Sequence, residues 1–300
     1  MSVAVPRQEA LRGHAAMLLF SALVAGSFSL GARAANLIDP AAITAMRFVI
    51  AAGVIGAVAL AGPGIPRKAL HAPWRYLLLG GIFSSYFVLM FEGLKTASPI
   101  SASAVFTLTP LMAAGFGWLV MRQRLTGRMA AAMTLGAVGA LWVIFRGDLM
   151  AMLRLDLGRG ELIYLSGCVA HALYIPLVRR LNRGESPVVF TLGTLVAGAA
   201  LLLVWGWQAI GATIWSELPL IVWITLFYVS LFASATTFVL VQFASLRLPA
   251  AKVMAYTYLT PAWVIALEAM LGQGLPGGIV LPGVAVTMLA LWLLLEDDDG

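Results

Sequence analysis

The residue with the most chemical potential is His171, at the middle of the apolar stretch Gly167-Cys168-Val169-Ala170-His171-Ala172-Leu173-Tyr174. An imidazole with an ordinary pKa near 6.5 could hold a substrate carboxylate or relay a proton there. It could equally be a neutral histidine bonded to a neighbouring helix, and the sequence leaves both readings open. Aromatic side chains are the largest group around it: Phe83, Tyr86 and Phe87; Tyr174; Tyr228 and Phe232; Tyr256, Tyr258 and Trp263. Tyr86 follows Phe83 by three residues, so the two share a helix face. Each tyrosine inside an apolar run needs a partner for its hydroxyl or must face water. Single rings in such runs serve packing, but so many tyrosines together favour an apolar solute that stacks. Small hydroxyl residues such as Ser84 and Thr237 are helix-contact residues by default, and these two could also bond an amino-acid backbone. No Gly-x-x-x-x-Gly-Lys-Ser/Thr loop, metal-spaced His/Cys cluster or Ser/His/Asp set is present. The expectation is a non-enzyme with no cofactor and no metal.

Such residues need elements to hold them. Hydrophobic residues are 61% of the 300, charged residues 11%, and mean hydropathy is +0.96. A soluble chain is nearer half apolar and a quarter charged, so this much apolar surface belongs in lipid. A helix needs about 20 apolar residues to span a bilayer. Ten stretches qualify: 14–34, 41–61, 74–95, 99–121, 127–145, 160–179, 187–207, 218–245, 249–271 and 276–295. The first reads as a retained span and not a cleaved leader, because no small-residue cleavage site follows it. The terminal Glu-Asp-Asp-Asp-Gly breaks from the pattern and reads as an appended tail. Net charge is +6, but Lys and Arg sit in short clusters between the spans. That is membrane topology and not a nucleic-acid surface. Arg7, Arg12, Arg67, Lys68, Arg75, Arg122, Arg124, Arg128, Arg179, Arg180, Arg183, Arg247 and Lys252 fall on the side of the N-terminus; Arg33, Lys95, Arg146, Arg154 and Arg159 fall opposite. The positive-inside rule therefore puts both termini in the cytoplasm, which requires an even number of spans.

The chain also repeats itself. Leu108-Thr109-Pro110 returns half a chain later as Leu259-Thr260-Pro261, each about ten residues past an earlier proline, Pro99 and Pro249. Asp39-Pro40 before the second span is matched by Ser186-Pro187 before the seventh. The expected units are 14–145 and 160–295. Five spans per unit is odd, so the copies enter the membrane from opposite sides and enclose a shared site near the midplane. Pro110 and Pro261 break internal hydrogen bonds at matching points and are candidate hinges.

Together these residues resemble the EamA-type members of the drug/metabolite transporter superfamily. The likeness lies in Pro40 through Arg47-Phe48, in 102–110, in 123–141 with Gly136 and Gly139, and in 170–180, 250–261 and 272–292. One departure is visible: Gln123 and Gln273 stand where the family often has Glu. Within that group the aromatic-rich central spans are most similar to the YddG exporters of aromatic amino acids. The resemblance implies an all-α polytopic protein with ten transmembrane helices, two inverted five-helix repeats and a central cavity for export of small metabolites. It also implies a structural role for Arg47, capping carbonyls and pairing with Asp39; the residues alone also allow Arg47 to face the cavity and fork onto a carboxylate. Glu268, and Glu92 with Lys95, read as helix-end charges that reach the interface.

The expected protein is a multi-pass exporter of a bacterial inner membrane, moving aromatic or apolar amino acids by alternating access. His171, Tyr86, Phe83, Tyr174, Tyr228, Tyr256, Tyr258, Trp263, Ser84 and Thr237 are its candidate substrate contacts. Its partners are lipid and a small solute, with no nucleic acid; monomer and homodimer both stay open. Another cargo on the same fold, an intramembrane enzyme and a channel are the alternatives.

Overall fold

The computed structural model describes residues 7–122, 126–154, 156–245, 247–248 and 250–295. Every regular element among them is helical. In chain order these are α1 (Arg7–Ala34), α2 (Pro40–Ala61), α3 (Trp74–Leu94), α4 (Pro99–Phe106), α5 (Thr109–Met121), α6 (Gly127–Ile144), α7 (Leu149–Arg154) and α8 (Arg159–Leu181). There follow α9 (Pro187–Trp205), α10 (Trp207–Ala212), α11 (Leu220–Ser230), α12 (Thr237–Ser245), α13 (Ala250–Ala255), α14 (Thr260–Met270) and α15 (Leu281–Leu295).

Prolines and their capping partners set the starts. Asp39 accepts from the amides of Ala41 and Ala42, Ser98 from Ser101, and Ser186 from Val189. Each cap precedes a proline, whose fixed φ and missing N–H suit the first helical position.

Nine helices among the described residues are long and apolar enough to cross a membrane. The stretch 249–271 is not one of them. Pro249, like Gln123, lies outside the described residues, and the rest is split into α13, a 3₁₀ turn over Tyr256–Leu259, and α14. The first Leu-Thr-Pro is interrupted in the same way: α4 ends at Phe106, Thr107 and Leu108 form a turn, and α5 restarts at Thr109. A proline ring displaces the carbonyl four residues back and offers no N–H, so both runs break there. Pro110 and Pro261 thus begin new helices and do not kink continuous ones. A third interruption has no proline. Between α11 and α12 the residues Leu231–Thr236 form one wide π-helical turn. Its hydroxyls reach five residues back, Ser234 to the Val229 carbonyl at 2.8 Å and Thr236 to Leu231 at 2.9 Å.

Helix α3 packs on α8 and α9, α2 on α9, α6 on α15, and α1 on α11, α12 and α14. Glycines set the closest crossings. A Cβ on Gly139 would stand 2.7 Å from the Gly283 carbonyl oxygen, and one on Gly283 would stand 2.8 Å from that of Gly139. No side chain fits between α6 and α15 at that point, the close backbone approach that small residues give membrane helices. The outer surface carries exposed Trp74, Trp118, Trp205, Trp207 and Trp292 among many leucines and valines, as a lipid-facing surface requires.

Charge pairs tie remote segments. Arg75 bonds Glu185, in the connection before α9, at 2.7 Å, with both side chains buried. Burial alone would raise the Glu185 carboxyl, but hydrogen bonds from Arg75 and from the Arg183 amide outweigh it and hold it below its ordinary range. A lowered carboxyl stabilises the fold above the ordinary glutamate range, and that contribution is lost as pH falls through the folded value. Glu268 is buried and bonds Arg33 of α1 through both carboxylate oxygens, at 3.0 and 3.4 Å. It sits near the end of α14, as expected, but is buried in an ion pair there because the last turn of α1 brings Arg33 against it. Glu92 does sit at a helix end, bonded to Lys95 at 2.6 Å.

Candidate functional site

The crossing of α3 and α8 builds the one place where several of the expected residues meet. Glycines allow it: a Cβ on Gly93 would fall 2.7 Å from the Gly160 carbonyl, and one on Gly167 3.1 Å from that of Tyr86. With backbones this close, rings from both helices interleave. The imidazole of His171 stacks on Tyr86 at 4.5 Å between centroids and 24° between planes. Phe83 stacks on Tyr174 at 4.6 Å and 14°. Phe83 also lies 6.2 Å from His171, and Phe106 of α4 lies 5.8 Å from it. The Tyr86 and Tyr164 hydroxyls bond each other at 3.0 Å, both rings buried. Offset and tilted arrangements of this kind add roughly 0.5–1.5 kcal/mol per pair beyond burial. Phe83, His171 and Tyr174 are only half-buried. The buried Nδ1 of His171 has no hydrogen-bond partner.

The other six expected contacts stand elsewhere, and each ties one helix to another or to its own turn. Tyr228 donates to the Leu23 carbonyl of α1 at 2.9 Å, its ring lying over Gly26. Tyr256 shares a 2.8 Å hydrogen bond with Nδ1 of His14. Trp263 donates from Nε1 to Ser21 at 3.0 Å. Tyr258 is fully buried over Gly136 of α6, and its hydroxyl has no partner. Ser84 bonds the Gly81 carbonyl within α3 and lines an outer groove with Leu201, Leu202 and Trp205 of α9. Thr237 bonds the Ser234 carbonyl at 3.1 Å. Two recesses among the described residues are the groove at Ser84 and a loop recess around Ala35–Asp39 and Lys95.

Arg47 belongs beside the ring cluster, and the sequence did not include it among the contacts. It is 1% exposed. Asp39, its expected partner, is occupied in capping Ala41 and Ala42 at the start of α2. Arg47 instead crosses to the π turn, donating from Nε to Ser234 Oγ at 2.9 Å and from Nη2 to the Ala233 carbonyl at 3.3 Å. Its guanidinium lies 3.6 Å above the Phe87 ring, a cation–π contact. Phe87 is 4.7 Å from Tyr86, which carries the stack to His171. The only sequence signal for this was a basic residue about two turns inside an apolar helix.

Among the described residues no group of three His, Cys, Asp or Glu could hold a metal ion, and Cys168 is buried and free. The cluster offers a stacking surface, one free imidazole nitrogen and an adjoining cation, an arrangement that can bind a solute.

Comparison with known proteins decides what such a bundle is for. The EamA-like transporter family model matches residues 11–145 and again 158–296. The chain belongs to the EamA-like transporter family. The uncharacterized transporter YyaM of Bacillus subtilis (strain 168) is 26% identical over 275 residues, 91% of this chain and 90% of that one. A solved crystal structure superposes with a TM-score of 0.69 at 22% identity, covering 95% of this chain and 96% of the other, and so shares the fold. An EamA-like chain with nine such helices among its described residues is a multi-pass membrane protein, and its function class is transport of small molecules.

Proposed function

We propose that this EamA-like protein is a secondary transporter that exports aromatic or other apolar amino acids across a bacterial inner membrane. The observation that carries the substrate class is the stack of Phe83, Tyr86, His171 and Tyr174 at the α3–α8 crossing, with three of the four side chains half-buried. Planar apolar solutes gain most from such a surface. His171 would receive the solute through its free Nδ1.

The architecture we propose for this is ten spans in two inverted repeats, 14–145 and 160–295, with both termini cytoplasmic. Two separate family matches support the division. So do the helix pairings: α2 with α9 and α6 with α15 join counterpart spans, while α3 with α8 mirrors α1 with α11 and α12. Pro110 and Pro261, each at the start of a restarted helix, are the proposed hinges of alternating access.

Proteoliposomes loaded with labelled phenylalanine, tryptophan and leucine test the reading. Saturable efflux above that of empty vesicles is expected. Efflux of none of them sinks the substrate class, and linear, non-saturating efflux points to a channel instead.

A further inference from the structure

Arg47 is a cation placed within the apolar span α2. Among the described residues no carboxylate reaches it; its partners are a hydroxyl, a carbonyl and a ring face. Its Nη1 is buried and has no hydrogen-bond partner at all. Arginine inside membrane spans is rare and pairs with carboxylates or backbone carbonyls; Arg47 has one carbonyl and keeps a nitrogen over. An uncompensated buried charge is costly, so a site that keeps one gains when an anion arrives.

The surroundings hold the guanidinium ready. A regular helix would leave its carbonyls bonded four residues on; the π turn at Leu231–Thr236 rearranges that ladder, and the Ala233 carbonyl accepts from Arg47. Ser234 donates to Val229 and accepts from Arg47 Nε, which fixes the guanidinium from one side. Phe87 supports it from below. Nε and Nη2 are thereby used, and Nη1 is left over. The same Phe87 abuts Tyr86, so the cation and the stacking surface are continuous, with the unpartnered Nδ1 of His171 at the far end of the row.

We infer that Arg47 is the anion-binding residue of the transport site and receives the carboxylate of a substrate whose ring or alkyl body lies against Phe83, Tyr86, His171 and Tyr174. This rests on the transport reading above and narrows it to solutes carrying a carboxylate. Guanidinium–carboxylate bonds are among the stronger polar contacts available to such a solute.

The test is ligand-induced thermal stabilisation of the purified full-length protein, with four probes of one shape: L-phenylalanine, 3-phenylpropanoate, L-phenylalaninamide and phenethylamine. Only ligands that bind the folded state raise the melting temperature. The first two should stabilise and the last two should not. In Arg47→Gln the apparent affinity for L-phenylalanine should fall about tenfold or more, the loss of one charged hydrogen bond. Arg47→Lys should fall between the two, because it keeps a charge but loses the planar guanidinium that Ser234 and the Ala233 carbonyl hold in place; it carries the test if Arg47→Gln fails to fold. Equal stabilisation by the amide and the amine overturns the assignment of Arg47 while leaving transport intact. So does an Arg47→Lys protein of lowered melting temperature with undiminished affinity, which would make Arg47 a brace alone. Stabilisation by none of the four also overturns it, and the liposome efflux assay then decides separately whether the chain transports aromatic solutes.

Discussion

Two groups of aromatic residues in this bundle look alike in sequence and behave differently in structure. At the α3–α8 crossing the rings of Phe83, Tyr86, His171 and Tyr174 lie on one another, and a histidine nitrogen is left without a partner. Around α1 the aromatic residues of the second half are tied down singly: Tyr228 to Leu23, Trp263 to Ser21, Tyr256 to His14. Tyr228 rests on a glycine, Gly26, and Tyr258 is seated in the same way on Gly136. The first group is a surface with spare bonding capacity. The second is a set of rivets between helices. Residue type does not separate them; what lies under the ring and at the end of the hydroxyl does.

Four substitutions probe that division. The largest effect is expected from Gly136→Ala. Its Cβ would stand 2.4 Å from a ring carbon of fully buried Tyr258, which has nowhere to go. A loss of about 2 kcal/mol is expected, read as a lowered melting temperature in detergent; an unchanged value would mean that Tyr258 is not a rivet. Next comes His171→Phe, which keeps a stacking ring and removes Nδ1. Efflux of labelled phenylalanine should drop about tenfold, with the melting temperature nearly constant. A fall in both together would place His171 among the rivets.

Tyr228→Phe should follow, costing about 1 kcal/mol for the bond to Leu23 while leaving efflux at its original rate. Loss of efflux at unchanged stability would move Tyr228 into the first group. Smallest of all is Tyr258→Phe. Its hydroxyl bonds nothing, so the change should stay within about 0.5 kcal/mol of neutral, because removing an unsatisfied buried polar atom costs little. A clear destabilisation would reveal a partner for that hydroxyl.

Most of the spans were legible in the sequence because lipid demands unbroken apolar length, and caps such as Asp39-Pro40 and Ser186-Pro187 mark their starts. The interruptions at Thr109-Pro110 and Thr260-Pro261 were legible as prolines but not as helix restarts, since a proline in a long run can also bend it. The site was legible in part. Phe83 and Tyr86 share a face by spacing alone, and His171 with Tyr174 likewise. Their meeting depends on how α3 and α8 are rotated about their axes, which Gly93, Gly160 and Gly167 set through distances no pattern reveals. For the same reason the sequence left Arg47 open between Asp39 and the cavity. Its partner Ser234 lies 187 residues away, while Asp39 is close in sequence and already engaged. Glu268 was legible as a helix-end charge, but nothing in its own helix announces its partner Arg33.

The wide turn at Leu231–Thr236 has a consequence for the helix that leaves it. An extra residue wound into one revolution offsets everything beyond Thr236 by about 100° from where an even spiral would place it. Shortening the segment by a single residue would therefore re-aim the whole outgoing half of that span while leaving its apolar length almost untouched. The direction in which this span points its side chains is written in one surplus residue.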